Sequence, residues 1–194
     1  MRIRLPPALE QLRQHHDPMA PLGVPAHVTL LYPFLPSAEL TPAVRRRIAH
    51  LTRDVRPFDV GFERTGRFPG VVWLAPEPAE PFVTLTELLA AAFPDHPPYG
   101  GAHDEIVPHL TLGLGAESVL DRLARSVRAC PPFRERIRAI EVIAESGTDR
   151  WHRRWRIPLG SAAQARSTAP PGPPRTVRRL SARGARPTPP GGGH

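Results

Sequence analysis

HVTLLYPF (27–34) and PHLTLGLG (108–115) carry the same His-x-Thr-x pattern, His27-Val28-Thr29-Leu30 and His109-Leu110-Thr111-Leu112, 82 residues apart. Each is an apolar run with a proline close ahead, Pro25 two residues before the first histidine and Pro108 directly before the second. Short apolar runs bounded by proline and glycine read as strands. In a strand, residues i and i+2 project to one face, so His27 goes with Thr29 and His109 with Thr111. One His-x-Thr alone reads as an ordinary strand histidine. A matched pair in matched surroundings does not.

Outward from these two strands, the same order of elements appears twice. A short helix over 8–16 precedes the strand at 27–32. Thr41 as N-cap and Pro42 at the first helical position then open a helix running to about residue 53. Strands at 58–64 and 71–74 follow, with 65–70 as their connection. In the second half, Leu85, Leu88, Leu89 and Ala92 make an apolar helical stripe over 83–93. After it come the strand 109–114, a helix over 117–129, and strands at 137–145 and 151–159. The pattern predicts an α+β fold of two pseudo-symmetric lobes, each a small antiparallel sheet with helices on its outer face, and a cleft between them. The domain is expected to span 1–160, in halves of about 1–76 and 77–160.

The basic character of the chain is unevenly spread. All 26 basic residues are arginine, and six of them follow Gly160, where no acid occurs. Residues 1–160 hold 20 arginines against all 18 acids, a net charge of +2. The high isoelectric point thus belongs largely to 161–194, a Pro-, Gly- and Arg-rich segment whose composition predicts disorder. A nearly neutral domain weakens any case for nucleic-acid binding from charge alone. Cys130 is the only cysteine, so no internal disulfide or cysteine-based metal cluster forms. No apolar run is long enough for a membrane span, and the first residues lack the apolar core of a secretory signal. The expected location is the cytoplasm.

If the two strands converge, two imidazoles and two hydroxyls meet in one cleft. One neutral imidazole can take a proton from an attacking water or hydroxyl, while the other, protonated, gives one to the leaving oxygen. Threonine hydroxyls can donate to non-bridging phosphate oxygens. This set suits phosphodiester chemistry and calls for no metal or cofactor.

The chain resembles the 2H phosphoesterase superfamily and, within it, the 2′–5′ RNA ligase-like proteins. The resemblance covers about residues 8–160 and rests on HVTLLYPF (27–34), GRFPGVVWLAP (66–76) and PYGGAHDEIVPHLTLG (98–113). It implies metal-independent cyclic phosphodiesterase or ligase-type chemistry, on RNA termini or small cyclic-phosphate nucleotides. His27 and His109 then correspond to the catalytic histidines, and Thr29 and Thr111 to the phosphate-binding positions. The chain departs from the family at its start, where the usual apolar opening strand is reduced to the short, charged Arg2–Leu5.

Four further residues are substrate-binding candidates. Tyr32, Phe68 and Tyr99 offer stacking surfaces for a base, and Arg67 a phosphate contact. Trp73 is a weaker candidate, read first as core. His103-Asp104-Glu105 near His109 matches no metal-ligand spacing, and no metal site is assigned. His15, His16, His50, His96 and His152 read as surface residues. The rival to an enzyme is a non-catalytic RNA- or nucleotide-binding module using the same cleft and the basic tail. No membrane and no obligate protein partner is inferred.

Overall fold

The computed structural model describes residues 1–102, 105–147 and 149–160. The expected disordered tail, His103 and Asp104 lie outside the described residues.

Helix α1 (Pro7–His16) and helix α2 (Pro42–Leu51) precede the first long hairpin, β1 (Phe58–Phe68) and β2 (Val71–Glu77). Helix α3 (Glu80–Ala92), strand β3 (Leu110–Leu114) and helix α4 (Glu117–Arg128) follow, then β4 (Phe133–Ile137), β5 (Ala139–Ser146) and β6 (Arg150–Pro158). Helix α2 starts as its sequence dictates: Thr41 Oγ1 accepts from the Val44 amide at 3.4 Å, and Pro42 fills the first turn, where an N–H has no partner to lose.

Two antiparallel sheets result, β3-β2-β1-β4 and β5-β6. The α+β class with two sheets is as expected, but the strands are shared out differently. The larger sheet joins β1 and β2 to β3 and β4, so strands from both halves of the chain are interleaved. Two strand assignments are also corrected. The stretch 65–68 is not a connection but part of β1, which pairs as far as Phe68 against Val71. Pro69 and Gly70 alone make the turn, with Gly70 at φ 76°, a backbone that glycine adopts without steric cost. At 27–32 only His27 and Val28 make bridges, to Arg2 and Leu110; the rest of that run has no ladder.

One continuous core fills the space between the larger sheet and helices α1 and α4 and extends to α2, α3 and the β5-β6 sheet. Val60, Phe62, Val72, Leu74, Leu110 and Leu112 line the sheet side, and Leu9, Leu120, Leu123 and Val127 the helix side. The charged opening segment does pair: Ile3 N donates to Ala26 O and Val28 N to Met1 O, while Met1 and Ile3 bury their side chains and Arg2 and Arg4 stay exposed. Among the described residues no helix is long and apolar enough to cross a membrane.

Candidate active site

The bridge between Val28 and Leu110 is antiparallel, and it sets the geometry of the site. In that register residue 27 stands opposite 111, and residue 29 opposite 109. Each histidine therefore faces the threonine of the other motif. Val28 and Leu110 point into the core and are fully buried, so alternation sends His27, Thr29, His109 and Thr111 to the other face together. The four expected residues are brought to one place.

Both rings are held in the same way. His27 Nδ1 lies 2.7 Å from the Pro25 carbonyl and His109 Nδ1 lies 2.8 Å from the Val107 carbonyl, in each case two residues upstream. A carbonyl only accepts, so each Nδ1 carries the hydrogen. Each neutral ring then keeps its lone pair on Nε2, the nitrogen free to exchange a proton.

Burial pushes the His27 imidazole down to about 4, with nearby positive charge, including Arg13, acting in the same direction. Burial also lowers His109, and the carbonyl bond partly opposes it. Without a bound anion, the surroundings thus favour two neutral imidazoles at pH 7.

The approach to His27 is held by a buried ion pair. Arg13 at the end of α1, 2% exposed, reaches Asp17 at 2.8 Å and donates to Val24 O at 2.8 Å. These contacts fix the loop that delivers Pro25 and His27.

His109 sits among aromatic rings. Phe68 meets it edge-on at 5.1 Å, Trp73 lies at 6.0 Å, and Tyr99 stacks at 6.3 Å with 20° between the planes. Tyr99 also interacts with Thr29, so it stands between the second histidine and the first motif. Its φ of 53° is unusual for a bulky residue and aims the ring at the site. Trp73 pairs with Gly66 on one side and Thr111 on the other, which places it on the histidine face. A Cβ at Gly66 would stand 2.2 Å from the indole, so the glycine makes room for that ring.

A cleft of about 670 Å³ opens on this face, lined by His27, Thr29, Thr111, Tyr32 and Tyr99; His109 is not among its lining residues. Tyr32 is 57% exposed there. Arg67 stands apart. It shares a face with buried Val72 and is held by Asp121 at 2.5 Å and Glu117 at 2.8 Å on α4, so it clamps the hairpin and is not brought to the histidines. Sequence reasoning undervalued Trp73, and the two carbonyl anchors carry no side-chain signal. The glycine opposite Trp73 was the available clue.

No functionally curated protein matches the chain by sequence. Among solved structures, TT0787 of Thermus thermophilus is similar with a TM-score of 0.52 and 22% identity, over 80% of this chain and 94% of that one. E. coli LigT complexed with 3′-AMP has a TM-score of 0.48 and 21% identity, over 81% and 94%. The likeness to TT0787 is one of fold. The sequence profile of the 2′-5′ RNA ligase superfamily matches residues 2–149, a span that holds both His-x-Thr motifs and the hairpin between them. By that match the chain belongs to the 2′-5′ RNA ligase superfamily.

Proposed function

We propose that the protein is a two-histidine phosphoesterase that opens 2′,3′-cyclic phosphates, or makes and breaks 2′–5′ phosphodiesters, of RNA ends or small nucleotides. The observation that supports this reading is the register of the Val28–Leu110 bridge, which brings His27, Thr29, His109 and Thr111 to one face.

A phosphate seated between the imidazoles receives hydrogen bonds from Thr29 and Thr111 on its non-bridging oxygens. Its negative charge raises the proton affinity of the nearby rings, so the bound site can hold one neutral and one protonated imidazole. The neutral Nε2 takes the proton of the attacking water as the new O–P bond forms. The protonated Nε2 gives its proton to the sugar oxygen as the old P–O bond breaks, leaving a phosphate monoester and a free hydroxyl. With a sugar hydroxyl as nucleophile in place of water, the same transfer joins two nucleotides. No step here requires a metal ion or a cofactor.

The test is incubation with 2′,3′-cyclic nucleotides in EDTA, with the isomers of the product resolved. Turnover by the wild type and none by the His27→Ala/His109→Ala variant is the expected result. Equal turnover by both proteins rules the mechanism out.

A further inference from the structure

The opening segment alternates Met1 and Ile3, which are buried, with Arg2 and Arg4, which are exposed. Arg4 has a partner, Glu135 at 3.0 Å. Arg2 has no ion pair among the described residues, and it lines the same cleft as His27, Thr29 and Thr111. Its place is set by the backbone. Arg2 bridges His27, and the flanking bonds run from Ile3 N to Ala26 O and from Val28 N to Met1 O. Arg2 and His27 are therefore a non-hydrogen-bonded antiparallel pair, the kind whose Cα atoms lie closest, at about 4.5 Å. Directly opposed residues share a face, so Arg2 stands on the catalytic face.

Across that face the order is Arg2, His27, Thr111. Of the groups assigned to the reacting phosphate, His109 and Thr111 lie on the strand beyond His27 and Thr29 on its own, while Arg2 flanks His27 on the opposite side. Two carboxylates of the cleft are already matched, Asp17 to Arg13 and Glu141 to Arg153. The third, Glu145, lies four residues farther along β5, toward the turn. An unpaired guanidinium with a forked donor set suits a phosphate.

The geometry points to Arg2 as an anion subsite for a second phosphate of the substrate, beyond the oxygen that His27 serves. This rests on the two-histidine reading and narrows it, to nucleotides that carry another phosphate beside the reacting one. The Arg2 to His27 pairing favours them over a cyclic nucleoside monophosphate.

Two comparisons test the subsite on the full chain. The first is kcat/KM for a nucleoside 2′,3′-cyclic phosphate against the same nucleoside with an added 5′-phosphate. The expected preference for the second is about tenfold or more in the wild type, the size of one charge-assisted hydrogen bond. It falls to about one in Arg2→Gln and is partly restored in Arg2→Lys. A wild-type ratio near one, or a ratio that Arg2→Gln leaves intact, overturns the subsite. The second comparison is calorimetric binding of a nucleoside 3′-phosphate and a 3′,5′-bisphosphate, which needs no turnover. An Arg2-dependent preference there supports the subsite even where the enzyme reading fails. Turnover without such a preference defeats the subsite alone.

Discussion

Val28 and Leu110 meet across an antiparallel bridge with both side chains fully buried, and this one contact aligns two motifs 82 residues apart. It gives the two His-x-Thr motifs matching positions on one face. His27→Ala and His109→Ala should each lower kcat/KM for a cyclic nucleotide by about 100- to 10,000-fold, the usual contribution of a positioned acid or base. Thr29→Ala and Thr111→Ala should cost about 10- to 1000-fold, as for one lost oxyanion donor. Losses confined to one motif would show that the second does not act on the phosphate.

Tyr99 offers a finer probe. Tyr99→Phe removes the hydroxyl that interacts with Thr29 but keeps the ring beside His109. It should lower kcat/KM by about fivefold, in line with one neutral hydrogen bond near 1 kcal/mol. Tyr99→Ala also strips the ring away and should cost clearly more. Steady-state rates for the two variants separate positioning by the hydroxyl from shielding by the ring.

Gly66→Ala should damage the site from the far side of the hairpin. The added methyl meets the Trp73 indole at 2.2 Å, so the ring must move off the face it shares with Thr111. Loss of that cover exposes His109 to water and lets its pKa rise toward the ordinary value. An NMR titration of the ring should show this shift in a variant that remains folded. An unmoved His109 titration would count against Trp73 as a shield for that ring.

Acid should weaken the fold through His27. Its proton affinity is near 6.5 in the unfolded chain and about 4 in the folded one. Between these values the unfolded state holds more protons. Stability present above pH 6.5 is therefore lost as pH falls toward 4, by at most about 3 kcal/mol, and levels off below. His109 adds to the loss in the same direction. Urea unfolding at pH 7.5, 5.5 and 4.5 should show a smaller drop for His27→Gln than for the wild type. Parallel curves would remove His27 as a source of the acid sensitivity.

Arg13→Met should be the most destabilising of these changes. It leaves Asp17 buried without its partner, and breaking one side of a buried pair costs about 3 to 5 kcal/mol. Arg13→Met/Asp17→Asn should recover part of that loss in a thermal melt.

The polar half of the site was legible because it repeats. His27 with Thr29 and His109 with Thr111 are short local patterns, and strand alternation alone puts each pair on one face. The helices were legible through their apolar stripes and through Thr41 and Pro42. The sheet order was not, because pairings such as Phe62 with Phe133 link residues far apart in sequence. Strand β4 was missed because FRERI is charged at Arg134, Glu135 and Arg136 and runs without a break into the next strand. The end of β1 was missed because Gly66 looks like a breaker until the indole opposite it is known. Arg67 looked available for phosphate until Glu117 and Asp121 were seen to hold it.

The interleaved sheet has a consequence for assembly. Because β1 lies between β2 and β4, and β2 between β1 and β3, neither half of the chain can finish this sheet by itself. Each half also holds one histidine and the threonine that faces the other's. A chain cut between Glu77 and Glu80 should therefore yield two inert fragments that regain activity on mixing. During synthesis, catalytic competence should arrive last, once the C-terminal strands have closed around the waiting hairpin.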